Sequence, residues 1–161
     1  MGGPMAYRAA LTHVVADQGC ESRLRMTTSI ASLLGCEIIG VGARAPWPYT
    51  RDDGRSSEFE QITAAARQEV DAAAAMFREK LQAVPIASSW RDELGYPDRV
   101  IAANGRAADL VIAYPTRGDV DRNLYAAPDS LVLETGLPIL LMPPRGRVPS
   151  RPDRHRLEEH A

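Results

Sequence analysis

The chain has 161 residues, 45% hydrophobic and 25% charged, with a net charge of -2, which suits one soluble globular domain with a substantial core. The near-neutral balance argues against a nucleic-acid surface, and the best apolar run, Leu137 to Met142, is far too short to cross a bilayer. The N-terminus has no basic segment leading into an apolar stretch, and Cys20 and Cys36 are too few for a disulfide framework, so the cytoplasm is the expected compartment.

After a loose leader from Met1 to Met5, the run from Ala6 to Ala16 is apolar and partly β-branched, as a buried strand requires. Asp17-Gln18-Gly19 breaks it. A helix is predicted over Glu21 to Leu34, because Leu24, Thr27, Ala31 and Leu34 share a face, and Gly35 supplies its stop. Glu37 to Ala43 reads as a second strand, closed by Pro46-Trp47-Pro48 and a polar loop to Arg55. Ser57 and Glu60 have capping-box spacing ahead of a long helix in which Phe59, Ile62, Ala66, Val70, Ala73, Phe77 and Leu81 recur to about Ala83.

A third strand is predicted over Pro85 to Trp90, and Gly95-Tyr96-Pro97-Asp98 opens a third helix with proline in its first turn. Asp109 to Tyr114 reads as a fourth strand, Pro115 to Ala127 as a polar loop, and Pro128 to Glu134 as a short helix stopped by Gly136. Leu137 to Met142 is a fifth strand, ended by Pro143-Pro144; the tail from Arg145 to Ala161 has no apolar periodicity and reads as disordered. The alternation predicts an α/β fold: one domain over residues 1–144, an open five-stranded parallel sheet with helices on both faces. Ligands of such sheets bind at the carboxyl ends of the strands, here the loops after Ala16, Ala43, Trp90 and Tyr114.

Few motifs carry chemistry. Gly40-Val41-Gly42-Ala43-Arg44-Ala45 matches G-x-G-x-x-A, but its glycines lie inside a strand and no helix follows, so they are expected to admit close helix packing instead. No Walker-type loop and no G-x-S-x-G elbow occur. His13 lies in a strand and His155 and His160 in the tail, without metal-ligand spacing, so no metal is expected. Cys20 stands near a helix start, where the dipole favours a thiolate, although a lone helical cysteine is usually inert. Trp47 and Tyr49, beside prolines and Arg51, suggest an aromatic contact, either exposed or folded over a helix.

From Ala6 to Pro144 the chain resembles the universal stress protein family. The resemblance is carried by Ala16-Asp17 at the end of the first strand, by Trp90-Arg91 through Gly95-Tyr96-Pro97 to Arg106–Ile112, and by LVLETGLPILLMP from Leu131 to Pro143. It implies a Rossmann-like fold, a non-enzymatic binding role and a homodimer joined through the last strand. Nucleotide-binding members have glycine, two residues, glycine, nine residues, then glycine and a hydroxyl residue after the fourth strand. Here Gly118 is the only glycine between Tyr114 and Glu134, the residue three beyond it is Asp121, and Pro128-Asp129-Ser130 stands at the helix start. Asp119, Asp121 and Asp129 put negative charge where phosphate belongs, only partly offset by Arg117 and Arg122.

The expectation is therefore a stress-response or regulatory protein with no cofactor, acting through a protein partner and dimerising through Leu137, Ile139 and Leu141. No membrane or nucleic-acid partner is expected. The alternative is an ATP-dependent switch, with Asp17 and Val41 on the adenine side and Arg117, Gly118 and Ser130 toward the phosphates. An adenylating enzyme of the wider superfamily is a third reading, but Asp17-Gln18-Gly19-Cys20 lacks the serine-glycine-rich loop of such enzymes.

Overall fold

The computed structural model describes residues 6–46, 57–115 and 121–143. In chain order they form β1 (Ala9–His13), α1 (Cys20–Leu34), β2 (Glu37–Arg44), α2 (Ser57–Gln82), β3 (Ser88–Leu94), α3 (Pro97–Asn104), a 3-10 turn (Gly105–Ala107), β4 (Leu110–Ala113), α4 (Pro128–Thr135) and β5 (Ile139–Leu141). The strands make one parallel sheet, as the alternation of elements predicts, and their order is β3-β2-β1-β4-β5. The crossover direction reverses at β1, so β1 and β4 are neighbours and their carboxyl ends flank the crevice where doubly wound sheets bind ligands.

The strand period of two sorts the core into two layers. Ala10, Ile38 and Ile112 pack beneath Leu24 and Ile30 of α1 and Phe77 and Leu81 of α2. Leu11, Ile39, Val41 and Val111 face Val100 and Ile101 of α3 and Leu131 of α4. Both helix stops read from the sequence are left-handed: Gly35 has φ 69° and Gly136 φ 64°. The predicted face of α2 is buried from Ala66 to Leu81.

The third strand differs from its expected span. It begins at Ser88, not Pro85, and runs through Trp90 to Leu94, paired with β2 from Ile38↔Ser88 to Arg44↔Leu94. As a sheet edge it leaves Arg91, Asp92 and Glu93 exposed, so charge does not stop it, and charge on an edge also discourages pairing with other chains. The loop at its carboxyl end therefore follows Leu94 instead of Trp90. β1 is also shorter than expected, although Val14 and Val15 beyond it stay buried and the Val14 N–H still donates to Val41 O at 2.9 Å. Among the described residues no helix is long and apolar enough to cross a membrane. The Trp47, Tyr49 and Arg51 cluster, Arg117, Gly118 and Asp119, and the tail with His155 and His160 lie outside the described residues.

The two strand glycines sit on the α2 side. A Cβ on Gly40 would lie 2.6 Å from the Phe77 ring, and one on Gly42 2.5 Å from the Trp90 ring and 2.9 Å from Val70. Phe77 and Trp90 brace each other with centroids 5.3 Å apart, so neither ring can withdraw without disturbing the other. The G-x-G pattern is thus a packing feature, as its position within a strand predicts. Gly40→Ala is expected to cost about 1–3 kcal/mol through overpacking, read as a lower urea midpoint at unchanged slope.

Candidate functional site

Asp17 lies just beyond β1 at the crevice. Its Oδ1 accepts the Gly19 N–H at 2.9 Å, which turns the loop into α1, and the guanidinium of Arg23 at 2.6 Å. Its Oδ2 accepts the Tyr125 hydroxyl at 2.7 Å. Burial pushes the Asp17 carboxyl up, but Arg23, Tyr125 and Gly19 together hold it below its ordinary value. Burial and the neighbouring carboxylate push the Tyr125 phenol up to about 12, so it stays a donor at any physiological pH.

Tyr125 belongs to a strap, residues 121–127, that crosses the carboxyl end of the sheet before α4. The strap is anchored on both sides. Asp121 closes a tight turn by accepting the Asn123 N–H and side-chain amide, both at 2.9 Å, and it reaches the Arg44 guanidinium at 3.3 Å. Arg44 also pairs with Glu69 of α2 at 2.7 Å. The Ala45 N–H, just past β2, donates to Asn123 O at 2.9 Å. At the far end the Ala127 N–H donates to Asp98 Oδ1 at 2.9 Å, and the nearby Ser130 hydroxyl favours the charged form of the same carboxyl.

Asp98 therefore places a carboxylate from the first turn of α3 at the start of α4, with Asp129 beside it in the α4 first turn. Negative charge is favoured at a helix N-terminus, and here the chain supplies it. Burial is the main influence on Asp98 and raises its pKa despite these bonds.

Two clefts remain around the strap. The larger, about 300 Å³, lies between the ends of β1 and β4 and is bordered by His13, Asp17, Arg23, Tyr125 and Leu131 among others. The smaller, about 170 Å³, lies toward β2 and α2 beside Arg44, Val70 and Leu124. Asp17 borders both. Val41, expected on the adenine side, borders neither: it is fully buried toward α3 and its carbonyl is taken by Val14. Ser130 sits at the α4 start as expected, but it lines neither cleft.

Sequence reasoning did not bring Arg23, Tyr125, Asn123 or Asp98 to this place. A lone tyrosine in a polar loop was the available signal for Tyr125. Cys20 is buried at the start of α1, and burial raises its thiol pKa, which outweighs the nearby guanidinium. Cys36 is likewise a buried free thiol with its pKa raised by burial.

His13 points the chemistry of the larger cleft toward neutrality. Burial pushes its pKa down to about 4; the Ala43 carbonyl, 3.2 Å from Nε2, opposes the shift and the Arg23 charge reinforces it. In the unfolded chain the ring takes a proton near pH 6.5, while in the fold it resists until about 4. Stability linked to His13 is thus complete above pH 6.5 and lost as pH falls to 4, about 3 kcal/mol in all. The raised Asp98 works in the opposite direction at the acid end of this window. The urea midpoint should fall between pH 7 and pH 4, and His13→Asn should flatten most of that slope.

No protein-family model matches the chain, and no curated protein matches it. Solved structures do. UspA from Lactobacillus plantarum is 13% identical, with a TM-score of 0.67 over 86% of this chain and 99% of that one. A universal stress protein in complex with cAMP is 17% identical, with a TM-score of 0.58 over 85% and 97%. The universal stress protein from Archaeoglobus fulgidus in complex with dAMP is 16% identical, with a TM-score of 0.52 over 85% and 98%. Strand order, paired helix layers and these matches agree: the chain has the universal stress protein fold.

Proposed function

We propose that this chain is a stress-response binding protein that acts as a homodimer through protein contacts and does not take ATP in the manner of the nucleotide-binding universal stress proteins. One observation carries the reading: the polar groups at the carboxyl edge of the sheet are bonded to the chain's own strap. Asp17 is held by Tyr125, the Ala45 N–H by Asn123 and Arg44 by Asp121. A nucleotide would have to replace these bonds and then bring its phosphates against Asp98 and Asp129, where like charges repel. The role is binding, and the described groups at the crevice that would serve chemistry are committed to one another.

The dimer surface we assign is the edge strand β5 with the adjoining face of α4. Leu141 is 51% exposed, Val132 52% and Leu133 85%, an apolar set beside an edge that otherwise invites uncontrolled pairing. Leu137 and Ile139 pack partly into the core, so Leu141 is the better probe of the interface. Sedimentation equilibrium should give a dimer for the natural chain and a shift toward monomer for Leu141→Lys; an unchanged dimer mass would count against this surface.

A second reading, the nucleotide-dependent switch, is favoured by the cAMP and dAMP complexes among the structural neighbours and by the open cleft at Asp17. Thermal unfolding with millimolar Mg-ATP, ADP, AMP and cAMP separates the two. A ligand at a hundredfold excess over its dissociation constant stabilises by about 2.7 kcal/mol. We expect no rise in midpoint with any of the four. A clear rise would establish the switch instead.

A further inference from the structure

Another opening lies away from the strap, where β2 and β3 end, and it shares no residue with either cleft. It is a groove of about 590 Å³, within the ~300–1,000 Å³ of small-molecule sites. Its apolar walls are Phe59 of α2, Ala45 and Pro46 past β2, Leu94 at the end of β3 and Val100 of α3. Tyr96, 44% exposed, stands beside them. Backbone bonds fix this end of the sheet: the Gly95 N–H donates to Arg44 O and the Val100 N–H to Tyr96 O, both at 3.0 Å.

Three polar groups border the groove with nothing from the chain to hold them. Thr63 of α2 has its Oγ1 shut from water, and that oxygen has no hydrogen-bond partner. A helical threonine commonly turns its hydroxyl onto a carbonyl of the preceding turn, and this one does not. Such an orphan is unfavourable until a partner reaches it. Glu93 of β3 and Arg99 of α3 also line the groove, and both are exposed. Among the described residues neither side chain makes an ion pair or a hydrogen bond. Their neighbour Asp92 is the contrast, held by Arg67 and by the Trp90 ring N–H, each at 2.8 Å.

One free anion, one free cation and an orphan hydroxyl around apolar walls complement a zwitterion with an apolar body. We propose that this groove binds a free α-amino acid with a large apolar side chain, its ammonium at Glu93, its carboxylate at Arg99 and its side chain against Phe59, Leu94 and Val100. A turn about χ1 brings the Thr63 hydroxyl out of the wall to meet either charged end, since a hydroxyl both donates and accepts. A molecule with a single charge leaves one of the two exposed groups unmatched and binds less well.

L-Phenylalanine, titrated into the full-length protein and followed by amide chemical shifts, should saturate with its shifts gathered at Leu94, Gly95, Tyr96, Val100 and Ala103. N-Acetylphenylalanine, which lacks the ammonium, and phenylalaninamide, which lacks the carboxylate, should each bind about threefold more weakly, the scale of one exposed charge contact. Glu93→Gln should erase the first difference and Arg99→Gln the second; both side chains are exposed, so the fold is kept. Thr63→Val should weaken phenylalanine while raising the urea midpoint, because it removes an unmatched buried hydroxyl. Shifts that never saturate or that centre elsewhere, one affinity for all three ligands, or unchanged affinity in Thr63→Val would overturn the proposal. Equal binding of N-acetylphenylalaninamide, capped at both ends as within a chain, would also overturn it and point instead to a segment of a protein partner.

Discussion

The Asp17 carboxylate is the point on which the carboxyl edge of the sheet depends. It joins the turn after β1, the first turn of α1 and the strap before α4 through bonds of 2.6 to 2.9 Å to Arg23, Tyr125 and Gly19. A partly buried carboxylate needs such partners, since removing one leaves charge without compensation. Arg23 is in turn placed by Val15 O, and its backbone carbonyl accepts the Tyr114 hydroxyl at 2.6 Å, while Thr27 donates to that same hydroxyl at 2.7 Å. The end of β4 and the start of α1 are thereby fixed relative to β1. A second carboxylate does similar work below: Asp109 accepts the Arg8 and Ala9 N–H groups at 2.8 and 3.1 Å and aligns β1 with β4.

This arrangement uses for internal bonding what the fold offers to a ligand. Parallel sheets leave N–H groups, carboxylates and helix starts at their carboxyl edge, and a switch point opens a crevice among them. Here the strap returns over that edge and Asp98 fills the start of α4 from the neighbouring helix. What stays open is a cleft of low charge between apolar walls. The same fold can thus hold a nucleotide in one protein and present a closed edge in another, decided by a few residues of one connection.

The layers of the fold were legible because strands and helices here obey their periods. The long face of α2, the left-handed stops at Gly35 and Gly136 and the buried runs of β2 and β4 all follow from residue spacing. β3 was only half legible, because an edge strand with Arg91, Asp92 and Glu93 exposed looks like a loop. The site was largely illegible for a different reason. Tyr125 and Asp17 are 108 positions apart, and no local pattern announces that pairing. Asp98 reads as a favourable charge for its own helix α3, yet its carboxylate serves α4. Val41 shows the converse: the nucleotide alternative placed it on the adenine side, but the alternation of β2 turns it into the core beneath α3.

The most direct measurement is the amide hydrogen exchange of Ala45, whose N–H bonds Asn123 O across the crevice at 2.9 Å. A self-filled edge predicts slow exchange in the free protein, at a rate unchanged by millimolar Mg-ATP. Fast exchange in the free protein that slows when ATP is added would mean that the strap does not hold the edge and that a nucleotide does.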